Sequence, residues 1–241
     1  MIYPAPAIAV GPPPPGFEEV RLPLPEGGWV QAWHRPRPGA PLAVLFFHGN
    51  GENLETMRRS GLTADLARLD GHLLAVEYPG YGDSPGRPSE RSLTAAAVAA
   101  SAWLAERHRG SRQAVVGWSL GAGVASRLLD EGPGPFAGGV LLSPWTSLPE
   151  VARRHFPGFL VALLVSERYD SVAAAARLPG PILVIHGVAD RIIPVEQGRR
   201  LAAELGERGR LVEVPGAGHN DLLARPDVWR EIERFLGSIA P

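Results

Sequence analysis

Apolar and polar positions change their period along the chain, and each change predicts an element. Phe17–Leu22 and Trp29–His34 alternate apolar and polar residues around Glu26-Gly27-Gly28, the two-residue period of strands joined by a tight turn. They predict an antiparallel hairpin at the outer edge of a sheet. From residue 42 the pattern becomes continuous apolar runs. Leu42–Phe47 and His72–Val76 read as buried strands, and Gln113–Trp118, Gly139–Ser143, Pro181–Val188 and Leu211–Val214 as further strands. Between them, the stretch ending at Leu69, Ser89–Arg109, Gly121–Leu129, Glu196–Leu205 and Pro226–Ile239 read as helices. Ser89 is a good N-cap, and Pro226 suits a first helical turn. Strand and helix in alternation imply an α/β fold: a mainly parallel eight-stranded sheet with an N-terminal antiparallel hairpin and helices on both faces. Ligands then bind at the C-terminal strand ends.

Two segments depart from this rhythm. Pro4, Pro6 and Pro12–Pro15 block helix and sheet pairing, so residues 1–16 read either as an extended arm over the surface or as a loose tail. Residues 17–241 read as a single domain, within which 144–178 is a longer, partly helical excursion forming a small cap.

Composition narrows the chemistry. A chain of 241 residues with 45% apolar content can bury one large core. Net charge is −1 with both signs interspersed, so no footprint for nucleic acid or an anionic membrane arises, and small-molecule or acyl substrates fit better. There is no Cys, which excludes disulfides, a thiol nucleophile and thiolate metal sites. Nor is there Lys, which excludes a Walker A loop, Schiff-base chemistry and a Ser-Lys dyad. No apolar run reaches membrane-spanning length, and Met1–Val10 lacks a basic flank. The expectation is a soluble, cytoplasmic chain without a membrane anchor.

The candidate chemistry centres on Gly117-Trp118-Ser119-Leu120-Gly121, between a strand and a helix. A strand turning abruptly into a helix strains the Ser119 backbone and brings the positions two before and two after it close together, which glycine permits. Ser119 becomes a candidate nucleophile, and the Leu120 N–H, at a helix start, a candidate oxyanion donor. His219, in the Gly216–Asp221 loop after the last strand, is the candidate base. The other histidines, His34, His48, His72, His108, His155 and His186, read as surface or structurally satisfied, with His186 a possible support. Asp190, following the strand that ends near Val188, is the candidate acid, preferred over Asp170, which follows no strand. Asn50 in His48-Gly49-Asn50-Gly51 offers a second backbone donor. Trp118, Trp145, Phe156 and Phe159 are candidate substrate contacts. The apolar residues of the excursion, Phe156 to Val165, line a groove or cover the sheet as ordinary core.

His-Gly-Asn, Tyr-Pro-Gly-Tyr-Gly-Asp-Ser, Gly-Trp-Ser-Leu-Gly, Asp190 and His219 follow one another in an order that resembles the α/β-hydrolase superfamily. Within it the chain is most similar to the compact branch of protein depalmitoylases and related acyl-ester hydrolases. The resemblance implies an α/β-hydrolase fold. It also implies a serine hydrolase cleaving esters or thioesters through an acyl-enzyme, with neither metal nor organic cofactor. Peptide hydrolysis on the same triad, and a non-catalytic binding protein of the same fold, are the alternatives. Glu77 stands where the family usually has Asp, and by the same resemblance the position is structural.

Overall fold

The computed structural model describes residues 3–132, 134–155, 157–158, 167–175, 177–178 and 180–240. Eight strands form one sheet in the order β1-β2-β4-β3-β5-β6-β7-β8. β1 (Glu18–Pro23) and β2 (Trp29–Arg35) pair antiparallel, and β2 pairs antiparallel with β4 (His72–Val76). β3 (Leu42–Phe47), β5 (Arg112–Trp118), β6 (Phe136–Leu142), β7 (Ile182–Gly187) and β8 (Gly209–Val214) join β4 in parallel pairing. Of the two strands read as alternating, β1 is largely exposed, while β2, lying between β1 and β4, is buried on both faces. The continuous apolar runs of β3, β4, β6 and β7 are buried on both faces, whereas β8, at the far edge of the sheet, buries only Val214.

The pleat explains the two-sided core. Ala43, Leu45 and Phe47 of β3 join a cluster with Leu93 and Leu104 of α3 (Glu90–Arg107) and Val124 and Leu128 of α4 (Leu120–Glu131). Leu42, Val44 and Phe46 face the other way. They meet Leu54 and Met57 of α1 (Leu54–Ser60), in a cluster that also holds Trp229 and Ile232 of the closing helix Pro226–Ile239. Each fully buried Phe or Leu adds about 1.5–3 kcal/mol relative to exposure.

The predicted helix before Leu69 is two helices. α1 ends at Gly61, whose φ of 87° is left-handed, and α2 (Leu62–Leu66) starts again from it. Residues 3–16 form no helix or strand, yet Tyr3 is buried and its hydroxyl donates to the Tyr169 hydroxyl at 3.2 Å. Asn53 Nδ2 donates to the Ile8 carbonyl at 2.8 Å, so the segment runs beside the loop after β3. In the excursion, α5 (Leu148–His155) and α6 (Ser171–Ala175) are described. Phe156, Phe159 and the apolar run 160–165 lie outside the described residues.

Candidate active site

Ser119 stands at the turn between β5 and α4 with φ 54° and ψ −114°, a backbone region costly for a residue with a Cβ. Two close approaches hold it there. A Cβ on Gly117 would lie 2.2 Å from the Gly121 carbonyl oxygen, and one on Gly121 2.0 Å from that of Phe47. Only glycine at both positions lets α4 start so near β3. The Ser119 N–H donates to the Leu142 carbonyl at 2.9 Å, pinning the turn to β6.

His219 reaches Ser119 across the strand ends. Its Nε2 lies 2.9 Å from Ser119 Oγ, and its Nδ1 lies 2.7 Å from Asp190 Oδ2. A carboxylate only accepts, so Nδ1 carries the proton and Nε2 is left facing the serine hydroxyl. Asp190 Oδ1 accepts from the Ile192 and Ile193 N–H groups at 2.9 and 2.8 Å. Burial alone would raise the Asp190 carboxyl, but His186, His219 and the Ile193 N–H hold it far below the usual carboxylate range. His186 Nε2 donates to the Ile193 carbonyl at 2.8 Å and lies 3.5 Å from Asp190 Oδ2, so this ring braces the loop carrying the acid.

The loop after β3 lies beside the elbow, since Phe47 pairs with Gly117. His48 is fully buried, with Nε2 2.9 Å from Glu77 Oε1, and the Tyr78 hydroxyl donates to the His48 carbonyl at 2.7 Å. The Tyr81 hydroxyl donates to Asn50 Oδ1 at 2.8 Å. Glu52 Oε2 accepts from the Gly49 N–H at 3.2 Å, and burial raises its carboxyl above the ordinary value. The sequence held the motif containing Tyr78 and Tyr81, but nothing in it pointed to their hydroxyls.

Trp118 is buried between neighbours: its ring centroid lies 5.7 Å from that of His219, and a Cβ on Gly49 would touch the ring at 2.8 Å. A cavity of about 130 Å³ opens beside it, lined by Glu52, Leu62, Asn220 and Leu223. A larger recess of about 620 Å³ lies between Glu90, Arg127 and Arg168, and its lining includes none of Ser119, Asp190 or His219. Trp145 is buried edge-on to Tyr169, with ring centroids 6.0 Å apart, and packs against Gly123 as a core residue.

One cluster among the described residues could offer imidazoles to a metal: His34, His72 and His108, at the N-terminal edge of the parallel strands, opposite Ser119. Four of its six ring nitrogens already have hydrogen-bond partners. His34 Nδ1 donates to Glu18 at 2.7 Å, His34 Nε2 meets His108 Nε2 at 2.8 Å, and the Arg37 N–H donates to His72 Nδ1 at 3.1 Å. The His72 and His108 rings stack with centroids 3.4 Å apart, whereas rings sharing an ion converge on it with their edges. The cluster has the form of packed imidazoles.

A mainly parallel sheet flanked by helices, with a serine on a strained strand-to-helix turn and an imidazole between it and a carboxylate, defines the α/β-hydrolase class. Residues 43–165 match the family model described as alpha/beta hydrolase fold, and residues 161–238 one described as TAP-like protein. The chain belongs to the α/β-hydrolase superfamily. It is 38% identical over 232 residues to an uncharacterized protein of Mycobacterium tuberculosis, Rv2307c, covering 94% of this chain and 81% of that one. It is 30% identical over 241 residues to the lysophosphatidylserine lipase ABHD12 of Macaca fascicularis, covering 89% of this chain and 61% of the lipase. The Pyrococcus furiosus esterase Pf2001 superposes with a TM-score of 0.78 at 19% identity, over 97% of this chain and 98% of the esterase. Among the described residues no helix is long and apolar enough to cross a membrane.

Proposed function

We propose that this protein is a serine hydrolase that cleaves carboxylic ester or thioester bonds through an acyl-enzyme. The observation that carries the reading is the bridge formed by His219, 2.9 Å from Ser119 Oγ and 2.7 Å from Asp190 Oδ2. Ser119 Oγ attacks the acyl carbon while its proton passes to His219 Nε2. Asp190 holds the ring tautomer and stabilises the imidazolium. Backbone N–H groups of Leu120 and Asn50 hold the oxyanion of the tetrahedral intermediate, which collapses as His219 returns the proton to the departing alkoxide or thiolate. Water repeats the sequence on the acyl-enzyme: His219 takes its proton, the hydroxide adds to the acyl carbon, and Ser119 leaves with the proton restored. The acyl class is supported by the esterase and lipase among the similar proteins.

A fluorophosphonate probe tests the nucleophile. Ser119 should be labelled in the folded protein, with Ser119→Ala neither labelled nor active. p-Nitrophenyl esters of increasing chain length, an acyl thioester and an aminoacyl anilide should separate the bond classes, with ester cleavage expected. Anilide cleavage without ester turnover would support the peptidase alternative, and an unlabelled folded Ser119 the non-catalytic one.

A further inference from the structure

We propose that Tyr81 is a positioning residue for the oxyanion donor: its hydroxyl fixes the Asn50 side chain and, through it, the direction of the Asn50 N–H. This rests on the reading of Ser119 as nucleophile and Asn50 as donor given above.

The loop containing Asn50 is held at its start, where the Gly49 N–H donates to Glu52 Oε2 at 3.2 Å and the Glu52 N–H to the Gly49 carbonyl at 3.4 Å. Asn50 itself is exposed, and it is followed by Gly51, whose φ of 78° lies in the left-handed region that glycine enters freely. An oxyanion hole needs the opposite of such freedom, because a donor that must reorient during the reaction loses much of its effect on the barrier. The loop after β4 adds to that hold at Asn50 itself. Tyr78 and Tyr81 belong to one turn, closed by the Tyr81 N–H donating to the Tyr78 carbonyl at 3.0 Å, and their rings meet edge-on at 5.5 Å. Both rings are fully buried. From this base the Tyr78 hydroxyl grips the His48 carbonyl at 2.7 Å and the Tyr81 hydroxyl grips Asn50 Oδ1 at 2.8 Å.

Two features separate positioning from packing. A phenylalanine would fill the same space, and the buried hydroxyl is offset only by a bond to a partner. That partner is an exposed side chain, so the bond orders the loop more than it stabilises the core. Burial, with Glu77 adding to it, also pushes the Tyr81 hydroxyl above its ordinary pKa, so it remains a donor at working pH.

A double-mutant cycle on the full chain tests this, using Tyr81→Phe, Asn50→Ala and the pair, with a p-nitrophenyl ester as substrate. A trifluoromethyl ketone, whose serine adduct carries an oxyanion, is the second probe. Removing an oxyanion donor outright costs about 100–1,000-fold in kcat, so losing only its alignment should cost about 5–50-fold. Tyr81→Phe and Asn50→Ala are each expected to show that loss with KM within about twofold, and an equal weakening of ketone inhibition. The double variant should be no worse than either single one. Full kcat in Tyr81→Phe, losses that multiply in the double variant, or a loss confined to KM would overturn the proposal. If Tyr81→Phe fails to fold, Asn50→Ala decides: it retains the N–H, so unchanged kcat and ketone affinity overturn the proposal. Turnover by Ser119→Ala would instead remove the nucleophile reading, an outcome distinct from full activity in Tyr81→Phe with Ser119→Ala inactive.

Discussion

The imidazole of His48 and the carboxylate of Glu77 meet at 2.9 Å with both side chains fully buried. Burial alone would lower the His48 pKa, but the Glu77 charge and hydrogen bond hold it above the ordinary value. Glu77 also accepts from the Leu54 N–H at 3.0 Å and the Tyr78 N–H at 3.2 Å, so one carboxylate joins β4, the loop after β3 and the start of α1. Glu77→Ala is expected to lower stability by about 3–5 kcal/mol, the cost of stranding one member of a buried pair. Urea unfolding measures it, and a change below about 1 kcal/mol would contradict the role.

Asp190→Asn separates chemistry from folding. The amide keeps the shape of the acid and loses the charge that supports the His219 imidazolium. The variant should keep its fold and lose about a thousand- to ten-thousandfold in kcat on a p-nitrophenyl ester. Circular dichroism with steady-state kinetics checks both halves, and near-normal kcat would remove Asp190 from the mechanism.

Gly121→Ala tests the elbow. The added Cβ would lie 2.0 Å from the Phe47 carbonyl oxygen, and neither backbone can retreat without moving β3 or α4. A cost at or above the upper end of about 1–3 kcal/mol is expected, seen as a lower melting temperature and loss of fluorophosphonate labelling.

Ser143 invites a stabilising change. Its φ is 43°, its side chain is fully buried, and its hydroxyl has no hydrogen-bond partner in the structure. Ser143→Gly removes the left-handed strain and the orphan hydroxyl at the cost of backbone entropy, for a net gain of about 1 kcal/mol. A higher urea midpoint at unchanged slope is the expected result, and a lower midpoint would contradict it.

The three-histidine cluster predicts a direction for acid stability. Burial lowers His34 and His72, and burial with the neighbouring imidazoles takes His108 down to about 4. An unfolded imidazole titrates near about 6.5, so as pH falls from there toward 4 the unfolded chain binds more protons and the fold loses stability. The contribution is complete above that window. His48, raised by Glu77, acts in the opposite sense, and its share is lost as pH rises through its folded value. Urea midpoints from pH 4 to 8 should fall on the acid side, with a shallower slope in His108→Gln, and an unchanged slope would remove His108 as a source.

Periodicity carried most of the fold, because the pleat and the helical turn impose fixed spacings on any side chain that must leave water. It located all eight strands, missing Phe136–Gly138 at the start of β6, where Gly138, with φ 159°, and a register shift opposite Gln113 and Ala114 break the apolar run. The same spacing placed the candidate residues Ser119, Asp190 and His219 in the turns and loops that follow strand ends, which the parallel sheet brings to one edge. Hydrogen bonds between distant loops leave no such trace. The grip of Tyr78 and Tyr81 on the loop after β3 and the burial of Trp145 depend on which side chains meet once the sheet has closed, whereas the support His186 gives Asp190, four residues along the same segment, lay within reach of the sequence. A tyrosine that donates a bond reads the same in sequence as one that only fills space. Local spacing therefore determined the elements and their order, while the contacts that stiffen the site were decided only when the strands came together in three dimensions.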